Sequence, residues 1–141
     1  MKILFRADAS SAIGAGHVMR CLALAEFALR KGHEPVFLST EMLTPLKNRM
    51  RSKKIRLITH KLGAGSSEDA HATARLAIQG DYDCVVADHY GIGSKFQSIL
   101  QNSGVKQLLL DDDGLRDAYK TDFVLNQNIY ADKKMYKYIL P

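Results

Sequence analysis

Short apolar runs alternate with segments of helical spacing along most of this chain, and no other feature limits its folds so tightly. "KILFRA" (Lys2 to Ala7) reads as a strand. After it Val18, Leu22, Ala25 and Leu29 recur at i, i+4, i+7 and i+11, and Cys21, Leu24 and Ala28 widen the stripe. So broad an apolar face packs a helix on a sheet, and Gly32 stops that helix. "PVFLST" (Pro35 to Thr40) predicts a second strand, and "TPLKNRMRS" a helix with Thr44 as N-cap and Pro45 in its first turn. "IRLIT" (Ile55 to Thr59), "DCVVADHY" (Asp83 to Tyr90), "KQLLLDDD" (Lys106 to Asp113) and "TDFVLNQN" (Thr121 to Asn128) predict four more strands. Two helices lie among them, "SEDAHATARLAIQG" closed by Gly80 and "SKFQSILQNSG" ended by Gly104.

Repeated βαβ units build a parallel sheet with right-handed crossovers. The expected fold class is therefore α/β, a Rossmann-like three-layer domain with a mainly parallel sheet of about six strands. At 141 residues the chain is one domain with room for a real core. Its closing "IYADKKMYKYILP" has no evident partner and reads as a domain boundary.

Charge and cysteine usage exclude several classes. The net charge of +5 comes from scattered Lys and Arg, and only Lys47 to Arg56 is densely basic. That run reads as a solvated face; without interleaved aromatics or a known motif it does not point to nucleic acid. No apolar run approaches the roughly 20 residues of a membrane span. Arg6 and Asp8 break any signal-peptide core in "MKILFRADAS". Cys21 and Cys84 lack CxxC spacing and read as buried thiols, so the expected location is a reducing cytoplasm.

In an open parallel sheet, ligands bind beyond the carboxyl ends of the strands. Here those ends carry Asp8, then Asp88, His89 and Tyr90, then Asp111 to Asp113, then Asn126 to Asn128. Any one of these residues is as well explained as a loop residue or cap. Their joint placement makes Asp8, Asp88, His89, Tyr90, Asp111 and Asn126 candidate binding residues. The sharpest piece is Gly14-Ala15-Gly16-His17. Its glycines allow a tight turn and close approach of a ligand, and the helix that follows offers free N–H groups to an anion. A helix N-terminus disfavours imidazolium, so His17 is expected to be neutral and able to accept a proton. Taken alone, an exposed cap histidine explains it equally well.

Other readings of the loop fail. Met19 stands where G-x-G-x-x-G needs its third glycine, and no Walker Lys-Ser/Thr follows, so no nucleotide cofactor is expected. Asp88 and His89 are adjacent on a strand and point to opposite faces, which argues against a metal. His33, His60 and His71 have no motif around them.

"FRADASSAIGAGHVMRCLALA" resembles the opening of the nucleotide-sugar hydrolases of pseudaminic acid biosynthesis, which are related to spore-coat polysaccharide proteins. "VVADHYGIG" and "LLLDDDGLRD…DFVLNQN" resemble that family's later blocks in order and spacing. The resemblance implies one half of a GT-B-like two-domain fold. It also implies cleavage of UDP-2,4-diacetamido-2,4,6-trideoxy-β-L-altropyranose to free sugar and UDP. His17 becomes the general base, Gly14 and Gly16 shape the loop beside the diphosphate, and Asp88, His89 and Tyr90 line the sugar side. The chain departs at Asp112-Asp113-Gly114-Leu115, where the family tends toward Asp-Asp-Leu-Ala.

Residues 1–141 are thus expected to be the N-terminal Rossmann-like domain, with the C-terminal nucleotide-binding domain absent. The expected partners are a UDP-sugar and either that absent domain or a second copy. Half of a GT-B glycosyltransferase, or a non-catalytic sugar-nucleotide-binding or partner-pairing domain, are the alternatives.

Overall fold

The computed structural model describes residues 1–136. The element order is β1 (Lys2–Ala7), α1 (Gly16–Arg30), β2 (Glu34–Ser39), α2 (Thr44–Ser52), β3 (Arg56–Thr59), α3 (Ser67–Gln79), β4 (Cys84–Asp88), α4 (Ser94–Asn102), β5 (Gln107–Leu110) and β6 (Phe123–Leu125), then a 3₁₀ turn at Lys133–Tyr136. All pairings are parallel and the strand order is β3-β2-β1-β4-β5-β6. This is the expected Rossmann-like sheet.

Strand alternation builds a core on each face. Leu4, Val36, Leu38, Val85, Ala87 and Leu109 meet Ala70, Ala74 and Ala77 of α3 and Phe96 and Leu100 of α4. Their neighbours Phe5, Phe37, Val86 and Leu110 meet Val18, Leu22 and Ala25 of α1 and Leu46 and Met50 of α2. Both faces are apolar, so the strands read as continuous hydrophobic runs. From β1 the chain winds outward through β2 to β3, then returns to β4 and winds the other way. With crossovers of one hand, that reversal moves the helices to the opposite face. It leaves a crevice between the ends of β1 and β4, where Ala7 lies beside Asp88.

Several boundaries differ from the sequence reading. Leu43, not Thr44, caps α2, because the Leu43 carbonyl already accepts the N–H groups of Leu46 and Lys47. β4, β5 and β6 stop at Asp88, Leu110 and Leu125, so His89, Tyr90, Asp111 to Asp113 and Asn126 to Asn128 all lie in loops. Cys21 is buried but Cys84 only partly so. The last segment does find a partner: Tyr136 is buried, and its hydroxyl donates to Asp111 Oδ2 at 3.1 Å. The rest of that segment, 137–141, lies outside the described residues.

Candidate active site

The loop after β1 is closed locally. Gly14 has φ +77 and donates its N–H to the Ser10 carbonyl at 2.9 Å. A Cβ on Gly14 or Gly16 would meet nothing within 4 Å, so open space lies over this turn. Helix α1 begins at Gly16 behind Ala15, which offers no side-chain cap, and its first turn has no acidic residue. Its leading N–H groups and positive dipole end are therefore uncancelled by any side-chain cap.

His17, in the first turn, faces inward and is 5% exposed. Its Nδ1 lies 2.8 Å from Asp88 Oδ1, at the end of β4. Arg20, one helical turn on, clamps the same carboxylate, its Nη2 donating to Oδ1 at 2.6 Å and its Nε to Oδ2. Its Nη1 reaches Asp112 Oδ2 at 2.7 Å, tying the β5–β6 loop to the cluster. Arg20 Nη2 also lies 3.3 Å from Nδ1, but the Asp88 carboxylate, which only accepts, is closer and Nη2 is already spent on it, so Nδ1 of His17 carries the proton and donates it to Asp88. Nε2 then presents a lone pair, and among the described residues it has no hydrogen-bond partner. Such an imidazole, oriented by a buried carboxylate, can take a proton from a bound hydroxyl or water. Burial and the neighbouring Asp88 both raise the Cys21 thiol, which keeps it protonated and inert.

The loop after β4 covers this ring. Tyr90 meets His17 edge-on with ring centroids 4.5 Å apart, while itself 64% exposed. His89 stands 5.8 Å from His17 between centroids. Beside Tyr90 a cavity of about 270 Å³ opens between Gly93 and the Asp113–Asp117 loop. The β4 loop is braced by the loop before α3: a Cβ on Gly65 would fall 2.1 Å from the Gly91 carbonyl oxygen. Only glycine fits that contact, and Gly65 also has φ +77.

Of the expected binding residues, Asp8 and Asp111 are buried and Asn126 is half-buried, and all three bond within the protein. Asp8 Oδ2 accepts from Arg6 Nη1 at 2.6 Å, and Oδ1 from the Thr40 N–H at 2.6 Å and Ser39 Oγ at 3.0 Å. Arg6, wholly buried, also forks onto Asp69 of α3. Asp111 accepts from Arg116 Nε at 3.0 Å, Gly114 N–H at 2.9 Å and Tyr119 Oη at 2.8 Å. Asn126 donates to Tyr136 Oη at 2.9 Å and accepts from the Asn128 N–H. Their polar atoms are engaged within the protein, where they hold loops in place. Asp88 is likewise buried, beneath His17.

The sequence reading missed Arg20 and Asp112. Arg20 was visible as the i+3 neighbour of His17 on one helix face. Asp112 had no signal beyond its place in the acidic run. His60 is not bland: its Nε2 lies 3.1 Å from Asp69 Oδ1. His71 is exposed, and His33 meets the N-terminal ammonium at 3.2 Å. Among the described residues no group of three or more His, Cys, Asp or Glu is set to hold a metal, and no helix is long and apolar enough to cross a membrane.

No protein-family model matches the chain. It is 32% identical, over 142 aligned residues, to the UDP-2,4-diacetamido-2,4,6-trideoxy-beta-L-altropyranose hydrolase of Campylobacter jejuni. That likeness takes in the whole of this chain and 47% of the hydrolase, so the chain spans about half the length of this curated relative. The resemblance read from the motifs thus extends over the whole chain. MurG of Acinetobacter baumannii superposes with a TM-score of 0.57 at 18% identity, over 77% of this chain and 34% of its own. A glycosyltransferase from Rickettsia africae gives 0.61 at 16% identity, over 78% of this chain and 29% of its own. These two share the fold.

Proposed function

We propose that this chain is the base-bearing half of a UDP-sugar hydrolase acting on a diacetamido-trideoxyhexose in surface-glycan biosynthesis. The observation that carries the reading is the His17–Asp88 pair. The ring is locked with its proton on Nδ1, and its Nε2 lone pair has no partner among the described residues, at the crevice where such sheets bind ligands. A water held at Nε2 attacks the anomeric carbon and loses its proton to His17. The bond from that carbon to the diphosphate oxygen breaks, and UDP leaves with the electron pair. The diphosphate is a good leaving group and needs no strong acid. The uncapped N-terminus of α1 lies beside His17 and favours its negative charge.

The half of the relative that this chain does not cover would supply most nucleotide contacts and the second wall of the cleft. Tyr90, Leu115, Ile129 and Tyr130 are exposed apolar side chains in loops that follow β4, β5 and β6, and they suit a covering domain. The chain alone should therefore turn over little.

The test is a chimera in which this chain replaces the matching part of the Campylobacter hydrolase. It should release UDP from UDP-2,4-diacetamido-2,4,6-trideoxy-β-L-altropyranose without any acceptor. His17→Asn should lower turnover by about 10²–10⁴ with binding nearly unchanged. Release that requires an added acceptor alcohol would make this a transferase half. Binding without turnover in the unmutated chimera would leave only the sugar-nucleotide-binding role.

A further inference from the structure

His89 occupies a seat built from backbone. Its Nδ1 accepts the N–H of Gly91 at 2.9 Å. A Cβ on Gly91 would come 3.0 Å from that same nitrogen and 3.0 Å from the Ala64 carbonyl oxygen, so the ring sits tightly against this glycine. The His89 carbonyl is held in turn by the N–H of Ile92 at 3.0 Å. Arg116 Nη2 also reaches that carbonyl, at 3.5 Å.

The seat decides where the ring proton sits. A nitrogen that accepts a backbone N–H cannot carry a proton of its own, so neutral His89 is protonated at Nε2. Burial keeps it neutral by lowering its pKa, and the charge of Arg6, joined by that of His17 whenever that ring is protonated, adds to this against the pull of Asp8 and Asp69. Among the described residues nothing accepts the Nε2–H. His17 is locked in the opposite sense, with Nδ1–H on Asp88 and a lone pair at Nε2. The rings stand 5.8 Å apart and are inclined by 42°. The crevice therefore holds one fixed acceptor and one fixed donor, side by side, built from the same residue type.

We infer that His89 is a neutral hydrogen-bond donor to a substrate oxygen next to the reacting carbon, paired with His17 as the acceptor. This rests on the UDP-sugar reading of the site. The oxygen is a phosphate oxygen or an acetamido carbonyl, both strong acceptors. An imidazole N–H suits either because it donates without adding a full charge that would compete with the base.

The experiment is ¹⁵N-histidine NMR of the 141-residue chain, followed by titration of the chimera with UDP and with UDP-2,4-diacetamido-2,4,6-trideoxy-β-L-altropyranose. Without ligand, His89 should show the Nε2–H form and His17 the Nδ1–H form. Ligand should move the His89 Nε2–H signal. His89→Ala should weaken binding about 5- to 10-fold, the loss of one neutral hydrogen bond. His89→Gln keeps a donor near the Nε2 position and should stay within about threefold, a rescue that a merely structural role would not produce. Weakening with both probes assigns the acceptor to phosphate; weakening with the sugar nucleotide alone assigns it to the sugar. A His89 protonated on Nδ1, or binding indifferent to both variants, or equal loss in both, overturns the inference and leaves the hydrolase reading standing. Failure of the unmutated chimera to bind either probe at millimolar concentration overturns both. Should His89→Ala fail to fold, the tautomer and the Gln variant still decide.

Discussion

Two clusters at the carboxyl edge of the sheet are made from nearly the same parts. One joins Arg6, Asp8, Asp69 and His60; the other joins Arg20, Asp88, Asp112 and His17. In the first, Arg6 is wholly buried and bonded on every side. His60 turns Nδ1 to the Leu62 N–H at 3.1 Å, and its Nε2 lies against Asp69 without hydrogen-bond alignment. Both ring nitrogens look inward. In the second, Arg20 is partly exposed, and His17 has one nitrogen engaged while the other lacks a partner among the described residues. Residue types do not separate a clamp from a candidate base; the atoms left unengaged do. His17 can gain a proton at Nε2 without breaking a bond, whereas His60 must give up its contact with Leu62.

The largest effect should come from breaking the clamp. Arg6→Met leaves Asp8 and Asp69 buried without a guanidinium, and His60 cannot compensate freely. Urea unfolding at neutral pH should show a loss of about 3–5 kcal/mol. Arg20→Met should cost less, because His17 can take up a proton and pair with Asp88. If Arg20→Met proves the more destabilising, the two clusters are misjudged.

Next in size is the effect of Asp88→Asn on turnover in the chimera. The new amide must present its NH₂ either to Arg20 or to the His17 ring. In the first case the oxygen still accepts the His17 Nδ1–H and only the carboxylate's charge is lost; in the second the NH₂ donates to Nδ1 and the tautomer is reversed. Turnover should fall by about 10², at the lower end of the range for a missing general base. Asp69→Asn should leave the His17 tautomer, read by ¹⁵N NMR, as it was. A shift of His17 in that variant would mean that the clusters are coupled.

Why the fold was easy to read and half the site was not follows from the same contrast. Helix α1 announced itself through Val18, Leu22 and Ala25, whose spacing is local. Strand ends did not: β5 ends at Leu110, and the Asp111 carboxylate beyond it is held by Gly114, Tyr119 and Tyr136, contacts distributed over 25 residues of chain. His17 stood out because glycines flank it. Its partner Asp88 was named for its strand end, but only the β1–β4 adjacency puts it under the ring. Asp8 and Asp111 were placed at the correct edge, and nothing local said which way their carboxylates turn. One signal was available: Arg6 interrupts an apolar strand on the same face as Leu4, two residues before Asp8, and a buried arginine demands carboxylates.

Acid should act first on the loop beside the second cluster and then on the first cluster, with a more modest effect. His89 beside His17 is held neutral by burial, so its folded pKa is lowered. Its contribution is complete above the unfolded value near pH 6.5 and is lost as pH falls toward the lowered value. Asp8 is also lowered. Burial opposes ionisation, but Arg6 and the Thr40 and Glu41 N–H groups outweigh it. Its contribution is present above the unfolded value near pH 4 and disappears as pH drops through its folded value. Unfolding free energy measured from pH 7 to pH 3 should therefore decline gently first and more steeply below about pH 4. His89→Gln should remove the first decline and Asp8→Asn should blunt the second. A single decline starting near pH 4 would show that the histidine loop does not feel the unfolded-state titration.

The smallest effect belongs to Gly16→Ala, and it sharpens the contrast most directly. Gly16 opens α1 with ordinary backbone angles, and a Cβ there meets nothing within 4 Å. By stability alone a glycine has no reason to stand at this position, since alanine lowers the entropy of the unfolded chain and favours helix. The variant should gain about 0.5–1 kcal/mol in urea unfolding. Gly65, which donates its N–H to Asp69 at 2.8 Å, gives the opposite result on the clamp side: its Cβ would strike the Gly91 carbonyl, so Gly65→Ala should be destabilising. The Gly16 methyl would project into the open space beside His17, where the diphosphate is proposed to lie. Binding of the sugar nucleotide should weaken even as the fold grows firmer. Gain in stability with loss of binding would mark Gly16 as kept for a ligand, and Gly65 as kept for the fold. Unchanged binding in Gly16→Ala would move the diphosphate away from this turn.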